Sequence, residues 1–155
     1  MADSHCPILE ARDWDRRFWD WKDKPFYAAT YWSIMHIPLN LDAVVRKAVA
    51  DIRERNLMSE PIITFTREET MFHSTILISI REGTDELPVE TLTGRYYSRL
   101  FEGGYGDTGK HMGEMRADLG KQGLKPGELL LYHATCPVCV EERGAAQTVV
   151  FARVC

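Results

Sequence analysis

One order of elements, read twice along the chain, constrains the fold more than any other feature. Residues 27–39, YAATYWSIMHIPL, are rich in aromatic and branched side chains and carry neither acid nor base, which suits a strand buried on both faces or nearly so. Asp42 can cap a helix through its carboxylate, and Ala43, Val44, Ala48, Val49 and Ile52 supply a 3.6-residue apolar stripe as far as Asn56. Strands over 62–66 and 72–81 follow, with polar 67–70 as the turn of a hairpin. After the loop 82–88 the order begins again. A strand over 89–101 has Gly94 as a bulge or close-approach point. A helix then runs from Asp107 or Thr108 to Gln122, with Met112, Met115 and Leu119 facing inward and Gly123 as its stop. Strands over 129–135 and 147–154 close the chain and flank a loop that contains CPVCVEERG.

Strand, helix, strand, strand written twice predicts an α+β domain: a duplicated unit forming one antiparallel or mixed sheet. Its helices, near 42–56 and 107–122, lie on one face, and an approximate two-fold axis leaves a groove between the halves that suits a small ligand. The pseudo-repeats span 27–82 and 88–155 and share pattern only, since identity between them is negligible. Ahead of them, segment 1–26 places Trp14, Phe18 and Trp21 at i, i+4 and i+7 with charged residues largely elsewhere, which predicts a short amphipathic helix or turn packed on the domain. It ends near Lys24, because Pro25 biases its predecessor away from helical angles.

At 155 residues the chain suits one domain. With 45% hydrophobic and 27% charged residues it can build an ordinary core, which argues against disorder. A formal net charge of -4 works against binding a nucleic-acid backbone. No apolar run reaches the roughly 18 to 20 residues of a membrane-spanning helix, and the start lacks the basic, apolar, small-residue order of an export signal. The expectation is a cytoplasmic monomer or homodimer with no membrane partner, its four cysteines reduced.

Several residues can carry chemistry. Cys136 and Cys139 have the spacing of two zinc ligands or of a dithiol, and equally of small apolar filler. A zinc set of His133, Cys136 and Cys139 needs one further ligand, from Cys6, His5 or His36; apart from that, no cofactor is required. Cys136 becomes a nucleophile only if His133 or Arg143 lowers its pKa, against the adjacent Glu141 and Glu142. His133 sits mid-strand, pointing away from the face of Tyr132 and Ala134, as a general base or a satisfied core group. Glu102, beside Gly103 and Gly104, is a pocket acid or a solvated corner carboxylate. Trp32, His36, Tyr97, Tyr105 and Tyr132 are expected to wall the groove for a flat or cationic ligand, with Tyr105 and Tyr132 donating hydrogen bonds to developing negative charge. His73 and His111 are expected to be exposed.

The corner Gly103, Gly104, Tyr105, Asp107 is similar to that of the GyrI-like domains, in which a glycine, a small residue, a tyrosine and an acidic helix start join strand to helix. Within that superfamily the chain most resembles small bacterial hydrolases that carry a phrase like MHIPLN, here residues 35–40, and a late CPxC, here residues 136–139. The likeness covers residues 28–154. It implies a central pocket for small aromatic or cationic molecules. Some members hydrolyse them with a pocket glutamate on the strand after the second helix, where this chain has Tyr132 and His133 instead. The function expected is hydrolysis of a small organic compound, against a non-catalytic sequestration module or a thiol or zinc protein.

Overall fold

The computed structural model describes residues 6–34, 37–59 and 62–154, apart from the side chains of Tyr105 and Pro137. The fold is α+β with antiparallel strands, and the chain divides into two compact units: Trp21–Gly94, the middle unit, and the flanking stretches up to Asp20 and from Arg95, the terminal unit. No described helix is long and apolar enough to cross a membrane.

In the middle unit, strand β1 (Arg17–Ile34) contributes its residues from Trp21 onward. Its short return β2 is Ile37–Pro38. β1 pairs antiparallel with β4 (His73–Ser79), which pairs with β3 (Thr64–Glu68) as the expected hairpin, Glu68 opposite Ser74. Helix α2 (Leu41–Glu54) buries Ala48 and Ile52 against Tyr27, Tyr31, Ile76 and Ile78. The other face of the same strands holds Trp21, Phe26 and Phe65, with Phe26 and Phe65 rings 5.6 Å apart. Both faces of these strands are therefore covered, which explains their near-continuous apolar run. The expected Asp42 cap does not form. Asn40 stands at the N-cap without a side-chain bond to the helix, and its Oδ1 accepts the Trp32 N–H at 2.7 Å, so the turn rather than the helix takes the polar side chain.

In the terminal unit, β5 (Val89–Glu102), which contributes its residues from Arg95 onward, β7 (Gln147–Val154) and β6 (Pro126–His133) are antiparallel in that order. Helix α3 (Thr108–Lys121) covers one face, burying Met115 and Leu119 on Tyr97, Phe101, Leu131 and Val150. Gly123, at φ 73°, ends the helix as expected.

Two elements differ from the sequence reading. The opening helix is a single turn, α1 (Ala11–Trp14), and β1 begins at Arg17. A one-turn helix without a side-chain cap has little intrinsic stability, whereas Trp19 and Trp21 alternate as a strand requires. Trp19 donates to Ser98 Oγ at 2.8 Å, and that hydroxyl donates to Trp14 O at 2.7 Å. Pro25 is accommodated inside β1, where its carbonyl accepts from Ile80 N. The expected CPVC loop is a short helix, α4 (Pro137–Arg143), with Cys136 as its N-cap and Gly144 in the left-handed region at φ 72°. Proline at the first helical position and glycine just past the last explain both ends.

Candidate functional site

The cavity that carries the most chemistry has a volume of about 310 Å³ and lies within the terminal unit, at the ends of β6 and β7 and beside the corner that leads into α3. Gly104, His133, Thr135, Val140, Gln147 and Thr148 line it. His133 and Thr148 are cross-strand partners and share the α3 face, because strand neighbours alternate and Leu131 and Val150 lie on that face too.

Two contacts of Thr148 bear on the imidazole's tautomer. Thr148 Oγ1 donates its single proton to Gly103 O at 2.8 Å. The same oxygen is 3.3 Å from His133 Nδ1; with its proton committed to Gly103 O it acts there as acceptor, which favours the tautomer with Nδ1–H and the lone pair on Nε2. Burial pushes the His133 pKa from 6.5 down to about 3, with His111 adding to the effect. His133 is therefore a neutral imidazole throughout the physiological range.

His111 is buried, not exposed as expected. It falls at i, i+4 and i+8 with Met115 and Leu119, the inward stripe of α3, and that periodicity was the available signal. Its ring stacks on Phe101 with centroids 4.8 Å apart, and Nε2–H donates to Glu102 O at 3.1 Å. Nδ1 is buried without a hydrogen-bond partner among the described residues, as is the Thr108 hydroxyl. Two histidines thus tie down one corner, His111 through Glu102 O and His133 through Thr148 to Gly103 O. Gly103 sits at φ 127°, where a Cβ would come within 2.6 Å of Asp107 Oδ2 and 3.0 Å of the His111 ring.

The other expected site residues scatter. The Glu102 side chain is exposed at the corner. Tyr97 is a core residue whose hydroxyl donates to Asp118 Oδ2 at 2.9 Å. Tyr132 faces away from His133, with its ring 5.5 Å from Trp14, and burial first and Cys6 second raise its pKa. Trp32 is 54% exposed, its ring 4.2 Å from that of His73. His36 and His5 lie outside the described residues, as does the Tyr105 side chain. The sequence reading did not single out Thr135, Gln147 or Thr148.

The cysteines form a second cluster. Cys6, Cys136 and Cys139 bring their sulfurs within 4.8 Å of one another, and none of the three is in a disulfide. His133, the histidine of the zinc set expected from sequence, is not among these three grouped residues. Burial raises the Cys6 thiol to about 11.

A family model described as Bacterial hydrolase matches residues 2–154. That match spans nearly the whole chain, and the chain belongs to this family. No curated protein matches it.

Proposed function

From membership of the bacterial hydrolase family, we propose that this protein binds a small organic molecule in the terminal-unit cavity and hydrolyses it with His133 as general base. The carrying observation is the oriented imidazole: Nδ1–H is held by Thr148, so Nε2 takes the proton from an attacking water. A buried imidazole with a depressed pKa is a weak base at rest, and negative charge developing beside it during attack raises its proton affinity. Thr135 Oγ1 accepts from Gln147 N at 3.1 Å and keeps its own proton to donate to that charge. Gly104 admits the substrate closely, and Val140 supplies an apolar wall. The reading extends to the GyrI-like kinship of the two halves and to a small aromatic substrate, which the imidazole can stack against.

A second reading, binding without turnover, is favoured by one observation: no carboxylate is among the cavity's described lining residues. Screening esters, lactones and cyclic amides against the parent and His133→Ala separates the two. Hydrolysis that falls on the order of 100- to 10,000-fold in the variant supports the general base. A ligand that raises the melting temperature of both proteins with no turnover in either supports the binding module.

A further inference from the structure

Cys6 lies 130 positions before Cys136 in sequence, yet their sulfurs and that of Cys139 converge within 4.8 Å. The first turn of α4 presents Cys136 and Cys139 together. The opening segment supplies Cys6 and is held in place by two side chains of the same unit. Gln147 clamps Leu9 from both sides, accepting from its N–H at 2.8 Å and donating to its carbonyl at 3.0 Å. Arg143 donates to Pro7 O at 3.3 Å and to Cys6 O. Neither clamp involves a thiol, so the surrounding structure brings the sulfurs together.

The sulfurs of a tetrahedral thiolate site lie ~3.8 Å apart when each metal–sulfur bond is about 2.3 Å. The observed cluster fits that spacing with small side-chain rotations. A disulfide would draw two sulfurs to about 2 Å and leave the third over. Two further features suit a cation. The Cys136 N–H donates to Cys6 Sγ at 3.3 Å, the kind of outer bond that orients a metal-bound thiolate. Three thiolates on a divalent cation carry one net negative charge, and the Arg143 guanidinium, which donates to Cys6 O and whose buried Nε has no hydrogen-bond partner among the described residues, would supply an offsetting positive charge.

We infer that Cys6, Cys136 and Cys139 form a binding site for a soft divalent cation of the zinc class, which fastens the opening segment to α4. On binding, the three thiols release three protons and the cation gains three sulfur ligands; no electron moves. The site is separate from the reaction proposed above and does not rest on it. It does border the same cavity, because Val140 follows Cys139 on α4 and Gln147, which holds Leu9, lines the wall. The cation would therefore set the cavity's shape without entering it.

The test uses the full chain, stripped of metal under reductant and titrated with zinc(II) alone against a chromogenic chelator. One zinc per chain is expected, with alkylation of the three thiols suppressed when zinc is present. Cys6→Ser changes a half-buried residue on the opening segment, so its fold, checked by circular dichroism, survives where a change at buried Cys139 threatens it. The variant should bind zinc on the order of 100-fold more weakly, and Arg143→Gln roughly 10-fold more weakly. Binding below about 0.1 zinc per chain with freely alkylated thiols overturns the site. Parental zinc affinity in Cys6→Ser overturns it equally.

Discussion

The two units are built from similar parts and differ in the buried polar atoms they leave without a partner among the described residues. Each lays a 14-residue helix over antiparallel strands. In the middle unit buried hydroxyls pair with other hydroxyls: Ser33 and Ser74 are 3.0 Å apart, and buried Ser79 is 2.6 Å from half-buried Ser59. Its helix buries only Ala48 and Ile52. In the terminal unit the helix buries Thr108 and His111 beside Met115 and Leu119. The buried side-chain atoms without partners among the described residues, Thr108 Oγ1, His111 Nδ1 and Arg143 Nε, all belong to this unit. An unpaired buried polar atom costs about 1 to 3 kcal/mol, so such groups persist where something other than stability retains them. The cavity with His133 and the cysteine cluster lie in this unit as well. On the proposed function, the middle unit is scaffold and the terminal unit holds the site.

The sharpest test of that contrast is catalytic. His133→Ala should lower kcat/KM on any hydrolysed substrate by on the order of 100- to 10,000-fold. Ile52→Val in the middle unit should leave it within about twofold, since that change acts on packing alone. Equal losses in both variants would break the distinction. The acid limb of the pH–rate profile sharpens it further: with His133 lowered to about 3, activity should not fall near pH 6.5.

Stability against pH is the next largest effect. The folded chain protonates His133 only near pH 3, the unfolded chain near 6.5. The unfolded state therefore binds more protons between those values, and the stabilisation present above 6.5 is lost as pH falls towards 3. Denaturant titrations of the parent and His133→Gln across this window should diverge by on the order of 3 kcal/mol, less than the full shift implies because the ring is partly exposed. Parallel curves would mean that the histidine is not buried as neutral imidazole.

Two glycines provide a matched pair. Gly103→Ala should cost roughly 2 to 3 kcal/mol, from a left-handed backbone and the collision with Asp107 and His111. At Gly83 in the middle unit a Cβ would meet nothing within 4 Å, so Gly83→Ala should stay within about 0.5 kcal/mol. The smallest core effect is Ile52→Val, about 0.5 to 1.5 kcal/mol by chemical denaturation, with no change in zinc binding.

Local periodicity determined much of this protein. The order of elements from residue 41 to the end of β6, the hairpin of β3 and β4, the inward face of α3 around Met115 and Leu119 and the opposed directions of Tyr132 and His133 follow from spacing between near neighbours. A 3.6- or 2-residue repeat fixes which side chains share a face before any partner is known. Tertiary structure decided the rest. The opening segment satisfies a helical and a strand pattern together, and only pairing and the Trp19 bond to Ser98 select the strand. Cys6 meets Cys136 and Cys139 through clamps made by Gln147 and Arg143, and Thr148 becomes the partner of His133 through the β6–β7 register. Each of these depends on residues far apart along the chain, whose meeting is set by the energy of the packed whole and leaves no mark in local sequence.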